Sequence, residues 1–298
     1  MKIDLMPHKA GFVSIIGKPN VGKSTLMNQL VGARISIITS KAQTTRHRIM
    51  GILSGDDFQI VYSDTPGMIK PAYKLQSNMM KFVNSSIEDA DIVLLVSDLY
   101  DEYDEENVKK LSKISQPLIL IINKIDLDKG GQTDSKIEYW KSILAKDPIA
   151  IIPVSALLGT GIDHVFNSIL QNLPEHPPYF PKETLTDKPE RFFVSEIIRE
   201  KIFTNYKKEV PYSTEVVVTE FYEEEKIIRI RAEIFVERRS QKGIIIGKGG
   251  LALKKVGIEA RKDLETFFGK QVHLETFVKI ADDWRKKSQS LKGFGYSS

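Results

Sequence analysis

The chain has 298 residues, with 43 Lys and Arg against 39 Asp and Glu and no Cys, which excludes disulfides and a thiolate zinc site. This length exceeds the roughly 100–200 residues of one domain, so we expect two domains. The longest apolar runs, such as residues 117–122, are shorter than the about 20 residues that span a membrane. Residues 1–5 show no apolar segment of the kind that a signal peptide contains. Together these features predict a cytoplasmic protein.

Short apolar runs alternate with longer amphipathic stretches in the first half of the chain. Several of these runs are apolar at nearly every position, as is typical of strands buried on both faces of a parallel sheet. The alternation predicts a three-layer α/β domain with a mixed, mostly parallel sheet. The expected strands are residues 12–17, 58–64, 92–97, 118–123 and 149–154, with an antiparallel edge strand near 48–54. The expected helices are residues 23–31, 75–88, 105–114, 135–144 and 161–173.

The composition changes after residue 173. Five prolines crowd the polar segment 174–190, which predicts a linker between domains 1–173 and 191–298. The second domain has the order α–β–β–α–β, with room for a short extra helix before the second helix, and is therefore expected to be α+β. Its expected elements are a helix at 191–208, strands at 213–221 and 226–236, a helix at 251–268 and a strand at 271–280.

A phosphate-binding loop is predicted at residues 17–24, which read GKPNVGKS and match G-x-x-x-x-G-K-[ST]. The loop directly follows an apolar strand and opens a helix, as this motif requires. Lys23 is expected to reach the β- and γ-phosphates, and the Ser24 hydroxyl is expected to bind Mg²⁺. The residues predicted to contact the nucleotide here are Gly17, Lys18, Pro19, Asn20, Val21, Gly22, Lys23, Ser24 and Thr25.

The base is predicted to be guanine. Asn123, Lys124 and Asp126 belong to an N-K-x-D sequence at the carboxyl end of a predicted parallel strand, where open α/β sheets bind their ligands. The Asp126 carboxylate can accept hydrogen bonds from guanine N1–H and its 2-amino group, which adenine cannot satisfy. Ser155 and Ala156 follow the next strand, where a backbone N–H is expected to meet guanine O6.

Two loops near the phosphates are predicted to form the switch. Asp64, Thr65, Pro66 and Gly67 follow a strand, so that Asp64 is expected to hold water on Mg²⁺ and Gly67 to approach the γ-phosphate. In the polar loop 38–48, Thr45 is expected to ligate Mg²⁺ when triphosphate is present, with Thr44 as the alternative. Lys23, Thr45, Asp64 and Gly67 are therefore the predicted catalytic residues. Arg46, His47 and Arg48 either stabilise charge or keep the loop soluble.

An RNA-binding loop is predicted at residues 246–250. Gly247 and Gly250 form a G-x-x-G turn before a helix, Lys248 lies inside it, and the element order around it is that of a type II KH domain. From residue 238 to 292, fourteen Lys and Arg stand against six Asp and Glu, which suits a polyanion or, equally, a solvated helix face. The aromatic and basic tail from Trp284 to Tyr296 is either a stacking surface or a frayed end. The predicted RNA-binding residues are Ile246, Gly247, Lys248, Gly249, Gly250 and Lys254.

These features in this order resemble the Era family of GTPases over nearly the whole chain. The resemblance is carried by GKPNVGKSTLMNQL at 17–30, QTTRHR at 43–48, the DTPG and NKID motifs, the SA pair and the KH domain. It implies a monomeric small-subunit assembly factor that binds GTP or GDP, the 3′ end of 16S rRNA and the 30S subunit, with peripheral membrane contact. It also implies Mg²⁺ as cofactor and a K⁺ ion as a further candidate, held by Asn20.

Hydrolysis is expected to be slow. Many regulatory GTPases place a Gln after the D-x-x-G glycine to orient the attacking water, and this position is held by Met68, as it is in Era-like proteins. One alternative is a metabolic P-loop kinase or ATPase with an accessory RNA-binding module. Another is a structural RNA-binding protein with a vestigial nucleotide site, although Lys23, Ser24 and Asp64 are all present.

Overall fold

The computed structural model describes residues 8–296, which divide into two compact units. The first unit comprises the chain up to Ser36, Thr45–Lys70 and Met79–Asp187. The second comprises Ile37–Thr44, Pro71–Asn78 and the chain from Lys188 on, so two short segments of the N-terminal half belong to it. Residues 1–5, on which the expectation of no signal peptide rests, lie outside the described range.

Six strands form the sheet of the first unit. They are β1 Lys9–Ile16, β2 Ile49–Ser54, β3 Phe58–Asp64, β4 Ile92–Asp98, β5 Leu118–Asn123 and β6 Ala150–Pro153. Their order is β2-β3-β1-β4-β5-β6, with β2 antiparallel to β3 and all other pairs parallel. The expected mostly parallel sheet with an antiparallel edge strand is confirmed. The carboxyl ends of β1, β3, β5 and β6 therefore lie at one edge of the sheet.

Five α-helices lie within the described residues up to 187, and the second of them begins in the segment Pro71–Asn78 of the second unit. They are α1 Lys23–Val31, α2 Lys74–Glu88, α3 Glu105–Leu111, α4 Gln132–Ile143 and α5 Ile162–Asn172. Every residue of β4 and β5 is buried, which explains why both strands read as continuous apolar runs. Trp140 of α4 is fully buried against them, and its Nε1 donates a hydrogen bond to Ser97 Oγ at 2.8 Å.

The proline-rich segment after α5 packs along the first unit. The backbone N–H groups of Tyr179 and Phe180 donate to Oε1 of the fully buried Gln59 at 2.7 and 2.9 Å. The Ile52 N–H donates to the Leu185 carbonyl at 2.8 Å. These bonds fix the segment on β2 and β3 as far as Asp187, where the first unit ends. It is not the free tether that its prolines suggest, because its backbone groups find partners on the sheet.

The second unit combines a three-stranded sheet with helices. Its elements are α6 Glu190–Asn205, β7 Glu215–Glu223, β8 Ile227–Val236, α7 Arg239–Ile246, α8 Leu251–Phe268, β9 Gln271–Ile280 and α9 Ser288–Gly293. β8 lies between β7, its antiparallel neighbour, and β9, its parallel neighbour, so β9 is an edge strand. α7 occupies the place of the short extra helix. None of the helices within residues 8–296 has the length and apolar character that crossing a membrane requires.

One face of β8 forms the core of this unit. Alternate residues of the strand are buried because their side chains all point to the helical side of the sheet. Of the apolar run 244–246, Ile245 alone is fully buried, while Ile244 is 53% exposed. Only part of this apolar run enters the core, since a helix turns consecutive side chains to different sides. The core is built from Val194, Ile198, Ile202, Ile228, Ile230, Ala232, Ile234, Val236, Val256, Ala260 and Leu264.

The C-terminal tail is folded. Trp284 and Tyr296 are 0% and 1% exposed, and the Phe294 ring lies edge-on to Trp284 with the ring centroids 5.3 Å apart. The Trp284 Nε1 donates to the Ser213 carbonyl at 2.9 Å, and the Tyr296 hydroxyl donates to Glu215 Oε2 at 2.5 Å. Both expectations for this tail are wrong as far as Tyr296: it is not frayed, and these aromatic rings are not free to stack on bases.

Candidate functional site

The loop between β1 and α1 is held from two sides. The Met68 N–H donates to the Gly17 carbonyl at 2.9 Å, and Asn123 Nδ2 donates to the Val21 carbonyl at 2.7 Å. Gly22 begins α1 with φ 99° and without a side-chain cap, so the first N–H groups of the helix are left for an anion. A Cβ on Gly22 would lie 2.1 Å from Asn123 Nδ2, and this close approach requires glycine.

The Lys23 ammonium lies inside this loop. The residue is 6% exposed, and its Nζ donates to the carbonyls of Gly17 at 3.1 Å and Lys18 at 2.8 Å. Burial lowers the pKa of Lys23 to about 8, and the nearby Asp64 carboxylate offsets part of this effect. The positive charge is therefore poorly stabilised without an anion, which favours a phosphate in the loop.

Three oxygen-bearing side chains converge beside Lys23. Ser24 Oγ lies 2.7 Å from Asp64 Oδ2 and 3.0 Å from Thr45 Oγ1, and Thr45 Oγ1 lies 3.4 Å from the same carboxylate oxygen. Asp64 is fully buried, and its Oδ1 accepts no hydrogen bond within residues 8–296. Burial raises the pKa of Asp64, although the Ser24 hydroxyl and Lys23 oppose this rise. A buried carboxylate with a spare oxygen beside two hydroxyls fits the oxygen ligands that Mg²⁺ prefers.

Thr44, the alternative to Thr45, has other partners. Its hydroxyl lies 2.6 Å from Thr39 Oγ1 and donates to the Lys41 carbonyl at 2.7 Å. The two hydroxyls therefore have different partners, and it is the hydroxyl of Thr45 that lies with Ser24 and Asp64. The geometry favours Thr45.

The D-T-P-G residues divide into different roles. The Thr65 hydroxyl is fully buried and donates to the Ile15 carbonyl of β1 at 2.7 Å, so this side chain ties the end of β3 to β1. Gly67 lies so close to Pro19 that a Cβ would be 2.7 Å from the Pro19 Cα. Met68 is 9% exposed and packs in the core, as an apolar side chain should.

The base-reading loops are joined by side-chain hydrogen bonds. The Ser155 hydroxyl donates to Asp126 Oδ1 at 2.5 Å, which orients this exposed carboxylate. The Ala156 N–H donates to Asn123 Oδ1 at 2.9 Å. In this structure the Ala156 N–H therefore bonds within the protein, and the contact of a backbone N–H of this pair with guanine O6 stays a prediction. Asn123 consequently fixes both the phosphate loop and the Ser155–Ala156 loop.

Asp98, at the end of β4, was missed by sequence reasoning. Its Oδ2 accepts a hydrogen bond from Lys124 Nζ at 2.6 Å, and its Oδ1 accepts from the N–H groups of Tyr100 and Asp101 at 3.0 and 2.9 Å. Burial by itself raises the pKa of Asp98, but Lys124 and these N–H groups hold it below its usual value. The residue positions the Lys124 side chain. The signal was an Asp closing a strand next to the strand of the phosphate loop.

The basic residues of the polar loop are engaged elsewhere. Arg46 is 1% exposed, which excludes loop solubility as its role. Arg48 donates to Ser63 Oγ at 3.0 Å and pairs with Asp89, and the His47 ring lies beside Phe82 with the centroids 5.9 Å apart. The contacts of Arg48 and His47 serve packing and pairing.

The second glycine-rich loop joins α7 to α8. Gly247 adopts φ 72°, and a Cβ there would lie 2.6 Å from the Ala252 Cβ, so glycine is required where the loop meets the helix. Gly250 precedes α8 with φ 78° and without a side-chain cap. Lys248 is exposed, and Gly249 and Gly250 have open space where side chains would stand. The loop presents backbone and one positive charge to solvent.

A groove of about 560 Å³ runs from this loop between α8 and β9. Lys254 and Arg261 supply positive charge along it, and Gly257, in the middle of a helix, leaves its wall without a side chain. The groove residues beyond the loop and Lys254 were not predicted as contacts, although a glycine inside a strongly helical pattern was the available signal. The lining residues are Gly250, Leu253, Lys254, Gly257, Ile258, Arg261, Leu274 and Thr276.

Comparisons with known proteins match both domains. A family described as a 50S ribosome-binding GTPase matches residues 12–124, and one described as a KH domain matches residues 209–285. The chloroplastic GTPase ERA1 of Zea mays is 46% identical over 97% of this chain and 71% of its own length.

Two solved structures are also similar to the chain, each with 37% sequence identity. One is Era in complex with MgGDPNP and nucleotides 1506–1542 of 16S ribosomal RNA, with a TM-score of 0.92 over 98% of this chain and 100% of the other. The second is a variant of Aquifex aeolicus Era bound to GDP·AlF4⁻, with a TM-score of 0.91 over 97% of this chain and 100% of the other.

Proposed function

The chain belongs to the Era family of GTPases and is a GTP-hydrolysing enzyme with a C-terminal KH domain, and from this premise we propose that its GTP cycle controls binding to the 3′ end of 16S rRNA during assembly of the 30S subunit. Support comes from a relative that was solved with a GTP analogue and 16S rRNA nucleotides together. A second support is the groove beside Lys254, which has room for an unpaired strand.

The convergence of Ser24, Thr45 and Asp64 carries the nucleotide part of this proposal. Ser24 and Thr45 would hold Mg²⁺ through their hydroxyl oxygens, and Asp64 would hold it through water. When bound, Mg²⁺ neutralises negative charge on the phosphates. Thr45 lies in a polar loop and would ligate Mg²⁺ only when the triphosphate is present, which makes it the sensor of the triphosphate.

Hydrolysis relies on residues that bind and orient the phosphates. Lys23 exchanges its bonds to the Gly17 and Lys18 carbonyls for phosphate oxygens. Gly67 brings backbone close to the γ-phosphate because no Cβ intervenes. The apolar Met68 side chain cannot hydrogen-bond the attacking water, so we expect hydrolysis to be slow in the absence of a partner.

A comparison of GTP and ATP binding tests the nucleotide assignment. Asp126 accepts from guanine, whereas adenine would cover this carboxylate without donating to it, so GTP should bind at least about tenfold more tightly, given about 1–3 kcal/mol for each unpaired buried group. Equal affinities would favour the P-loop kinase or ATPase. Lys23→Ala should abolish GTP turnover, and a variant with unchanged turnover would contradict the catalytic assignment of Lys23.

A monovalent cation is a separate proposal. Asn20 lies exposed in the phosphate loop with φ 64°. Since no Gln orients the attacking water, positive charge on the phosphates would be another way to promote hydrolysis. K⁺ held by Asn20 would supply it. Hydrolysis should then be several-fold faster in KCl than in NaCl, and equal rates would exclude the role.

Contact with an anionic membrane from the cytoplasmic face is also a proposal. Lys286, Lys287 and Lys292 are exposed near the end of the chain, where they suit acidic headgroups. Binding to vesicles with phosphatidylserine, lost in vesicles of phosphatidylcholine alone, would support it. Equal binding to both kinds of vesicle would contradict it.

Light scattering of the protein without vesicles tests whether the chain is monomeric.

A further inference from the structure

Residues Ile37–Thr44 belong to the second unit and are held on α6. The Lys41 ammonium donates to the carbonyls of Phe203 and Tyr206, at the end of that helix. The Ile38 N–H donates to Glu200 Oε1 at 3.3 Å. A cation on the last carbonyls of a helix is favoured by the helix dipole, so Lys41 anchors the middle of the segment firmly.

Arg199 of α6 holds the last residue of the segment. Its Nη2 donates to the Thr44 carbonyl at 2.5 Å, while its Nε donates to Glu196 Oε1 at 2.8 Å. Arg199 is 1% exposed and Glu196 is 5% exposed. Burial alone lowers the pKa of Arg199, but the Glu196 carboxylate outweighs it and raises the pKa above the usual value. The bond to Thr44 is therefore a charge-assisted bond in a dry environment, which makes it strong.

This bond acts on the residue that follows. The Thr44 carbonyl and the Thr45 nitrogen share one planar peptide group, so holding the carbonyl restricts the orientation of Thr45. The Thr45 hydroxyl lies 3.0 Å from Ser24 Oγ in the candidate Mg²⁺ site. The chain passes from the second unit to the first at this peptide bond.

Stability alone does not account for the buried pair. Replacing a buried ion pair by apolar side chains of similar volume is often neutral or stabilising, because both charges lose their hydration. Arg199 Nη1 has no hydrogen-bond partner among residues 8–296, which adds to the cost of keeping the charge. What the guanidinium does, and an apolar side chain cannot do, is bind the Thr44 carbonyl.

We propose that Arg199, oriented by Glu196, is a positioning residue for GTP hydrolysis that acts by holding the Thr44–Thr45 peptide group. A helix of the second unit thereby contributes to the Mg²⁺ site of the first through the chain itself. The inference rests on the role of Thr45 in the proposed function. Because Thr45 is needed when GTP is bound and not when GDP is bound, a loss of this positioning should affect GTP hydrolysis and leave GDP binding unchanged.

The test replaces the pair by Arg199→Met with Glu196→Leu, which avoids leaving one buried charge alone. The kcat for GTP should fall about ten- to hundredfold, as misplacement by about 1 Å can cause. The Mg²⁺ concentration for half-maximal hydrolysis should rise several-fold, while GDP affinity stays unchanged. Arg191→Ala, on the exposed part of the same helix, is the matched control and should leave all three unchanged. A double variant with the wild-type Mg²⁺ dependence and kcat would overturn the proposal.

Thr45→Val completes a double-mutant cycle. If Arg199 acts through Thr45, the pair replacement should cause no further loss of kcat in a Thr45→Val background. Independent, multiplying losses would overturn the positioning role while leaving Thr45 itself as a ligand. A Thr45→Val protein that hydrolyses GTP normally would instead overturn the Mg²⁺ role of Thr45, and this inference with it. Thermal unfolding of each variant separates these results from a loss of fold.

Discussion

The loops before α1 and α8 are both glycine-rich turns that precede a helix, and they differ in how they are enclosed. The loop before α1 ends at Gly22 with φ 99°, and the loop before α8 ends at Gly250 with φ 78°. Neither helix has a side-chain cap, so both expose N–H groups at a positive helix end. The backbone device for binding phosphate is therefore the same.

Their surroundings are opposite. The first loop is tied to Met68 and Asn123, and its Lys23 is buried with a lowered pKa. In the second loop, Lys248 is exposed, and a side chain at Gly250 would meet nothing within 4 Å. An enclosed loop fits one compact triphosphate and rejects other ligands, whereas an open loop lets a polymer backbone pass. How tightly the loop is enclosed, more than its glycine pattern, decides whether it binds a nucleotide or RNA.

The largest expected effect comes from filling the enclosed loop. Gly22→Ala should weaken GDP and GTP binding at least about hundredfold, since the new Cβ would displace Asn123 and strain a residue at positive φ. Titration with a fluorescent nucleotide measures this loss. Gly32→Ala is the matched control, because Gly32 has φ 73° but open space around it, and it should bind normally. Normal nucleotide binding by Gly22→Ala would contradict the inference that the loop before α1 is tightly enclosed.

The next effect comes from filling the open groove. Gly257→Leu should reduce affinity for single-stranded RNA about tenfold, because its side chain would occupy space that the strand needs. Outside the adjoining backbone of α8, no atom of residues 8–296 lies within 4 Å of the Gly257 Cβ position, and leucine favours a helix, so the fold should be as stable or more stable. Unchanged RNA affinity, measured by anisotropy, would mean that RNA does not use this groove.

A smaller effect is expected for a single charge in the groove. Lys254→Ala should weaken RNA binding several-fold and lower the slope of log K against log salt by about 0.7, the value for one contact to a single strand. Lys262→Ala removes the same charge from an exposed position of α8 that does not line the groove, and it should leave the slope unchanged. Equal effects of both variants would indicate a diffuse basic surface.

The smallest effect is a proton taken up on GTP binding. At about pH 8 roughly half of the unliganded molecules carry neutral Lys23, and a triphosphate stabilises the charged form, so binding should take up about half a proton. Uptake should vanish near pH 6, where Lys23 is already charged, and affinity should fall as the pH rises through this pKa. Calorimetry in two buffers of different ionisation enthalpy measures it. No uptake at either pH would contradict a buried Lys23.

Most of the fold could be predicted from local patterns. The bounds of α1, β3, β5, α8 and β9 are those that the sequence indicates. Glycines mark the ends of two helices: a glycine at positive φ directly precedes and another directly follows both α1 and α8. The phosphate and base motifs were equally visible, because their spacing is fixed by the atoms that they must bring together.

The features that could not be predicted depend on contacts between distant residues. Nothing local to Ala156 indicates that its N–H would donate to Asn123. The burial of Trp284 depends on Phe294 and on the Ser213 carbonyl, in segments far apart in the sequence. Arg199 reads as one more charge on a helix until Thr44 and Glu196 are seen beside it. Such roles arise from tertiary packing, which a periodicity does not record.

The central claim is that the enclosed loop holds the nucleotide and the open loop holds the RNA, and paired titrations of the full-length chain test it most directly. A labelled GTP analogue and a labelled single-stranded RNA with the sequence of the 16S 3′ end are titrated into Lys23→Ala and Lys248→Asp proteins. We predict that Lys23→Ala loses the nucleotide and binds RNA as tightly as the nucleotide-free wild-type chain does, whereas Lys248→Asp loses RNA affinity and binds nucleotide normally. Loss of both ligands in either variant, or of neither, would contradict the account.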